Sequence, residues 1–219
     1  MLFVAAGVRR SASTLVFQIA CAILDNDKRR IRRWNNTARR DIFSENGWWV
    51  TKSHNYLHVA HKNPGRVKAY LTIRDPRDIM VSMMTLHNEN FERTLNRGLL
   101  SRDFFQFWTW LDKVPDDCVV RRYEDIYQDL PFLVQDIAEV MGKELSEKRV
   151  EELAEKYSFE RNKERSDTTG NTRADMLFPG HLQTGETGMW KKALLPEQAN
   201  RVAQLAGEDF LEEWGYETT

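Results

Sequence analysis

Leu2-Phe3-Val4-Ala5-Ala6-Gly7-Val8-Arg9-Arg10-Ser11-Ala12-Ser13-Thr14 runs from the second residue of the chain, and Leu15 to Leu24 continues it as another apolar stretch. A short apolar run ending in glycine predicts a buried strand, and the longer run predicts a helix whose first turn is rich in hydroxyls. Between them lies a small-residue turn carrying two arginines. Such a strand–turn–helix aims backbone N–H groups and the positive end of a helix dipole at one place, which suits a phosphate or sulfate. The alternative is an ordinary strand–turn–helix whose arginines face water. A nucleoside-triphosphatase loop needs Gly and Lys where this chain has Ala12 and Ser13, just before Thr14. Here the cation stands earlier, at Arg10.

Three further stretches read as strands: Trp48-Trp49-Val50-Thr51, Val67-Lys68-Ala69-Tyr70-Leu71-Thr72-Ile73 and Cys118-Val119-Val120-Arg121-Arg122-Tyr123. Helical patterns alternate with them at Asp78 to Leu86, Arg102 to Leu111, Leu130 to Met141, Ser146 to Tyr157 and Pro196 to Trp214, the last with Pro and Glu in its first turn. Alternating strands and helices predict an α/β fold, a three-layer sandwich with a mostly parallel central sheet flanked by helices. Ligands of such sheets bind beyond the carboxyl ends of the strands, where each candidate motif of this chain begins. Arg161 to Ala174 lacks apolar periodicity and is dense in Asn, Asp, Thr and Gly, so a mobile loop is expected over about 161–180 within one domain spanning 1–219.

At 219 residues, with 41% apolar and 30% charged side chains, the chain is long enough to bury a sizeable core and is not of disordered composition. A formal net charge of −1 gives no global reason to expect nucleic acid or a membrane surface. Cys21 and Cys118 lie far apart without metal-ligand spacing, and Cys21 falls in an apolar helical stretch, so a buried free thiol is expected. No stretch is long and apolar enough to span a bilayer, and no cleavage-site pattern follows the first apolar run; a reducing, cytoplasmic setting is the default expectation.

Two motifs follow strands. In Arg74-Asp75-Pro76-Arg77-Asp78, Pro76 and Asp78 are good helix-start chemistry. Arg74, at the end of its strand, is placed to fork a phosphate, with Ser82 adding a hydroxyl from the helix; Arg77 reads as a local ion pair with Asp75 or Asp78. In Lys52-Ser53-His54, histidine has the ordinary pKa to take a proton from an alcohol near neutrality, and a lysine two residues earlier faces the same side of an extended segment. A histidine at a strand end is equally an ordinary structural residue. His58 and His61 stand at helical spacing, but no Cys or acidic cluster completes a metal site.

Taken together, these segments resemble the sulfotransferases that use 3′-phosphoadenosine 5′-phosphosulfate (PAPS). Arg10-Ser11-Ala12-Ser13-Thr14 resembles their 5′-phosphosulfate loop, usually Pro-Lys-Ser-Gly-Thr-Thr, and Arg74 to Ser82 is similar to their 3′-phosphate motif. Lys52-Ser53-His54 is similar to the segment with the catalytic lysine and histidine of the cytosolic enzymes. Tyr123-Glu124-Asp125 matches a Tyr-Glu-Asp after a core strand, and Ser158-Phe159 resembles a Ser-Phe whose ring contacts adenine. Gly185-Glu186-Thr187-Gly188-Met189-Trp190-Lys191 resembles the late Gly-x-x-Gly-Asp-Trp-Lys loop, and Gly215-Tyr216 also fits. The resemblance runs in order over residues 4 to 192. It implies a P-loop-like nucleotide-binding fold and sulfuryl transfer from PAPS to a hydroxyl, less readily an amine, of a small molecule or glycan. It implies His54 as general base and Lys52 and Arg10 as charge stabilisers. The nucleotide would be held by Arg10, Ser11, Ala12, Ser13, Thr14, Arg74, Ser82, Tyr123, Phe159 and Gly185. No metal, nucleic acid or membrane span is expected.

The departures are specific. Arg10 replaces the loop lysine, Ala12 replaces glycine, and Leu15 stands where a stacking tryptophan is common. Gln183 and Thr184 occupy the places of an Arg-Lys pair that would clamp the 3′-phosphate, which would lower affinity or leave part of that work to another basic residue. The basic segment from Lys28 to Arg40, with Trp34, reads as a solvated face or as a recruiter of anions. The aromatic run from Phe104 to Trp110 reads as core or as an acceptor-pocket lining. Glu45 is the fallback base. A small-molecule kinase and a nucleotide-binding module without turnover are the alternative functions.

Overall fold

A computed structural model of the chain describes residues 1–24, 47–54, 65–98, 118–168, 176–177, 179–180 and 182–218. Among these residues, four strands, β1 (Leu2–Gly7), β2 (Trp49–Ser53), β3 (Val67–Ile73) and β4 (Cys118–Arg122), form one sheet in the order β2-β1-β3-β4. All three pairings are parallel, with Ala5 opposite Lys52 in β2 and Tyr70 in β3. Chain order around the sheet is α1 (Ser13–Ile23), α2 (Pro76–His87), α3 (Phe91–Asn96), α4 (Tyr123–Gln128), α5 (Leu130–Val140), α6 (Glu147–Lys156), α7 (Phe159–Thr168), α8 (Trp190–Ala193), α9 (Pro196–Ala206) and α10 (Glu208–Glu213). The predicted three-layer α/β architecture is therefore the observed one.

β1 is buried along its whole length, and the two-residue pleat divides its side chains between two cores. Leu2, Val4 and Ala6 join Leu71, Met80, Val202 and Phe210 on the face covered by α2, α9 and α10. Phe3 and Ala5 join Phe17, Tyr70, Ile137 and Leu153 on the face covered by α1, α5 and α6. A strand buried on both faces has no polar alternation, which is why it reads as a continuous apolar run.

The strand order sets the place of the site. The chain leaves β1 toward β2 on one side and leaves β3 toward β4 on the other. The crevice between the carboxyl ends of β1 and β3 is therefore the topological switch point, where open α/β sheets bind ligands. The two arginine motifs follow these two strands.

Several boundaries differ from those predicted. β2 extends to Ser53, so Lys52 lies in the strand and His54 directly follows it. The segment expected as a loop from 161 is helical to Thr168. The side chains that α7 buries are Asn162 and Ser166, polar residues that leave no apolar period to read. Its start is fixed by Ser158, whose hydroxyl accepts from the Arg161 N–H at 3.4 Å, and Lys163 pairs with Asp167 one turn on. The final predicted helix is broken at Gly207 (φ 91°) into α9 and α10. Cys21 is buried and forms no disulfide, as predicted. The expected helix at 102–111, the aromatic run at 104–110, the basic segment at 28–40, Glu45, His58 and His61 lie outside the described residues.

Candidate functional site

At the end of β1 the backbone comes close enough to β3 that only glycine fits. Gly7 has φ 142°, and a Cβ there would lie 2.2 Å from the Thr72 carbonyl oxygen. Ser11 then fastens the turn: its buried hydroxyl lies 2.6 Å from Val8 O, 2.9 Å from Thr72 O and 2.8 Å from Thr72 Oγ1. Ser11 was expected among the ligands, but its hydroxyl is engaged inside the sheet and holds the loop in shape. Arg10 (φ 64°) and Ala12 (φ 74°) take left-handed conformations, at about 1 kcal/mol each for a residue with a Cβ. Ala12 is the N-cap of α1 and no side chain caps that helix. The first-turn N–H groups of a helix have no intrahelical partner, so this uncapped start suits an anion.

Two cations from the two strand ends meet here. Arg74 donates from Nη1 to the Arg10 carbonyl at 3.2 Å and from Nη2 to the Glu186 carbonyl at 2.7 Å. Its Nε is buried without a partner, and its guanidinium stacks 4.2 Å from the Tyr123 ring centroid. Arg10 donates from Nε to Ser82 Oγ at 2.9 Å. Burial, then the charge of Arg74, pushes the Arg10 pKa down to about 10. Adjacent, largely buried guanidinium groups held by carbonyl and hydroxyl oxygens fit a phosphate-bearing ligand, whose charge relieves their repulsion. Arg77, by contrast, is fully buried and forks Asp75 at 2.9 and 2.8 Å, with its guanidinium 3.9 Å from the Trp190 ring. It is an internal ion pair, as predicted.

His54 and Lys52 reach the same crevice from β2. Lys52 Nζ donates to Thr14 Oγ1 at 2.8 Å, joining β2 to the first turn of α1. His54 Nδ1 lies 2.9 Å from the Gly7 carbonyl, an oxygen that only accepts, so Nδ1 carries the proton in this bond. The neutral ring is thereby held with the lone pair on Nε2. Part of its surface meets the cavity, yet the protein packed around the ring disfavours imidazolium. Desolvation, then the positive charge of Lys52, brings its pKa down to about 4, with Arg9 adding to the effect.

A late loop closes over the arginines. Asp78 Oδ2 accepts from Gly188 N at 2.6 Å and Oδ1 from Trp190 N at 3.0 Å, tying the loop to α2. Tyr123 donates its hydroxyl to the Gly185 carbonyl at 2.8 Å. Gly185 (φ 74°) is a required glycine, since a Cβ would lie 2.3 Å from the Tyr127 hydroxyl. Tyr127 stacks on Tyr123 at 5.2 Å and meets Phe159 edge-on at 6.0 Å, so an aromatic row leads outward from Arg74. Gln183 donates its amide to the Ser82 carbonyl at 3.0 Å.

These groups line one cavity of about 1160 Å³, with Arg10, Ala12, Ser13, Thr14, Lys52 and His54 at one part of its wall. Arg74, Ser82, Tyr123, Phe159 and Gly185 line it too, as do the apolar Leu15, Val81, Leu86, Met176, Leu177 and Leu182. Residues 3–213 match the sulfotransferase domain family. The chain is a sulfotransferase family member. It is 25% identical to mouse sulfotransferase 6B1 over an alignment of 171 residues, with coverage of 69% of this chain and 55% of the relative. The chain thus spans about half the length of that relative. In fold it is similar to mouse sulfotransferase SULT7A1 complexed with PAP, with a TM-score of 0.72, 16% identity and coverage of 98% and 87% of the two chains. It is also similar to retinol dehydratase in complex with retinol and PAP, with a TM-score of 0.71, 20% identity and coverage of 100% and 83%. The P-loop-like fold expected from the motifs is therefore the fold observed.

Among the described residues, sequence reasoning missed Asp78 as the loop anchor, Tyr127 as the centre of the aromatic row, and Gly7 as a packing requirement. The signal for Asp78 was present, because a first-turn carboxylate beside the Arg74 motif is suited to accept N–H groups from outside its own helix. No helix among the described residues is long and apolar enough to cross a membrane.

Proposed function

We propose that this sulfotransferase domain catalyses transfer of a sulfuryl group from PAPS to a hydroxyl of a small-molecule acceptor, with His54 as general base. The observation that carries the proposal is the His54 Nδ1–Gly7 carbonyl bond of 2.9 Å, beside the Lys52–Thr14 pair at the start of α1. It holds the neutral imidazole with Nε2 ready to accept a proton, on the wall of a cavity that is also lined by the anion-binding turn. PAPS, when bound, supplies an electrophilic sulfur on a phosphate leaving group.

The chain's residues divide the remaining work. His54 Nε2 takes the hydroxyl proton as the acceptor oxygen bonds to sulfur and the sulfur–phosphate oxygen bond breaks, giving a sulfate ester and adenosine 3′,5′-bisphosphate (PAP). Lys52, positioned by Thr14, offsets charge on the transferred oxygens. Ala12, Ser13 and Thr14 present N–H groups and hydroxyls to the 5′-phosphate. Arg74 and Ser82 take the 3′-phosphate, and the row of Tyr123, Tyr127 and Phe159 takes the adenine side. The apolar part of the cavity, with Val81, Leu86 and Leu182, suits an apolar alcohol, the kind of molecule named in the retinol and androsterone complexes of retinol dehydratase. The charge work is assigned to fixed cations and dipoles, so no step calls on a metal.

The test is His54→Ala assayed with PAPS against a panel of alcohols and phenols. Turnover should fall by about 10²-fold or more, with PAP affinity retained. Turnover near that of the wild type rules out His54 as the base.

A further inference from the structure

Resting on the function proposed above, we infer that Arg10 reads the 3′-phosphate of the nucleotide, together with Arg74 and Ser82, in place of the basic pair missing at Gln183 and Thr184. By its position in the loop, Arg10 stands where a lysine would serve the leaving oxygen. Its side chain runs elsewhere: Nε donates to Ser82 Oγ at 2.9 Å, across to the helix that follows β3. Arg74, the other cation of that motif, is joined to the same residue through the Arg10 carbonyl at 3.2 Å. Ser82 is thus bracketed, with Arg10 on its hydroxyl and the neutral Gln183 amide on its carbonyl at 3.0 Å.

The chemistry of each bond favours a phosphate at this spot. The Ser82 oxygen accepts from Arg10, which orients its own O–H to donate to something else. A guanidinium carries five N–H donors in a planar fork, so anchoring through Nε sets the rest of the fork in a defined plane. A lysine has no such second edge, which gives a physical reason for arginine at position 10 in a chain whose later loop offers glutamine and threonine. The left-handed backbone at Arg10 (φ 64°) belongs to the turn from which the side chain departs toward α2. Arg10, Arg74 and Ser82 then present two cations and a hydroxyl to one phosphate, while Lys52, anchored on Thr14, remains with the transferred group.

Calorimetric titration of wild type, Arg10→Met and Arg10→Lys with PAP and with 5′-AMP separates the possible roles. Thermal unfolding of each variant first establishes that it is folded. The wild type should prefer PAP. Arg10→Met should lose about ten- to hundredfold in PAP affinity, the scale of one or two charge-assisted bonds, and change little toward 5′-AMP. Arg10→Lys, with a charge but no fork, should recover only part of the preference. The 3′-phosphorus NMR resonance of bound PAP should move in Arg10→Met and the 5′ resonance should not. Equal weakening toward PAP and 5′-AMP, or unchanged affinities with reduced turnover alone, overturns the inference and returns Arg10 to the leaving-group side. A wild type without preference for PAP overturns the nucleotide assignment itself, a separate failure.

Discussion

Acidification should destabilise this protein through His54, by an amount that the site geometry sets. Histidine ordinarily titrates at 6.5, and His54 is brought down to about 4 by desolvation, by Lys52 and by Arg9, against the favourable bond to Gly7. Its folded pKa lies below its unfolded one, so the unfolded chain binds the proton first. Stability is therefore fully present above pH 6.5, falls as pH drops through the window from 6.5 to 4, and levels off below. Between about pH 7.5 and 4.5, linkage gives a loss of about 2.5 kcal/mol from this one group. The experiment is urea unfolding at both pH values for the wild type and for His54→Gln, which keeps an amide donor for the Gly7 carbonyl but does not titrate. Asp78 and Glu124, both raised chiefly by burial, contribute with the opposite sign. They cancel when the two proteins are compared, so the difference between the two pH dependences isolates His54. A wild type that loses no more stability than His54→Gln over this window refutes the desolvated imidazole; the role of His54 as base is tested separately by the turnover of His54→Ala.

Two other perturbations probe the surrounding geometry. Gly185→Ala places a Cβ 2.3 Å from the Tyr127 hydroxyl and should displace the late loop, lowering PAP affinity about tenfold by calorimetry; unchanged affinity contradicts the loop's part in the site. Lys52→Met removes a positive charge beside His54 and the partner of Thr14, so the His54 pKa should rise from about 4 in an NMR titration. Turnover should fall about 10²-fold in the same variant, and loss of turnover without a pKa change separates the two effects.

Much of this arrangement was legible in the residues because local physics and function agree there. β1 and β3 are buried on both faces and read as apolar runs, and Pro76 with Asp75 marks the start of α2, where Asp75 accepts from the Arg77 N–H at 2.9 Å. Arg74, Lys52 and His54 were visible because each follows or ends a strand that the sheet brings to one edge. The rest depends on long-range placement. Nothing local tells that the Ser11 hydroxyl turns into the sheet toward Thr72, since the same Ser in the same turn is equally suited to face an anion. The bond between Arg10 and Ser82 needs β1 and β3 to be neighbours, a fact of topology. α7 escaped because it buries Asn162 and Ser166 in place of an apolar stripe. Tyr127 stands one turn past Tyr123, and only the fold brings Phe159 and Gly185 against it.

Mass-spectrometric detection of product, with PAPS as the sole donor and ATP in a parallel reaction over a panel of hydroxyl acceptors, tests the central claim most directly. Sulfated product, formed with equimolar PAP and lost in His54→Ala, is the predicted result. Phosphorylated product from ATP, or tight PAP binding with no sulfated product from any acceptor, contradicts the account and leaves a kinase or a binding module in its place.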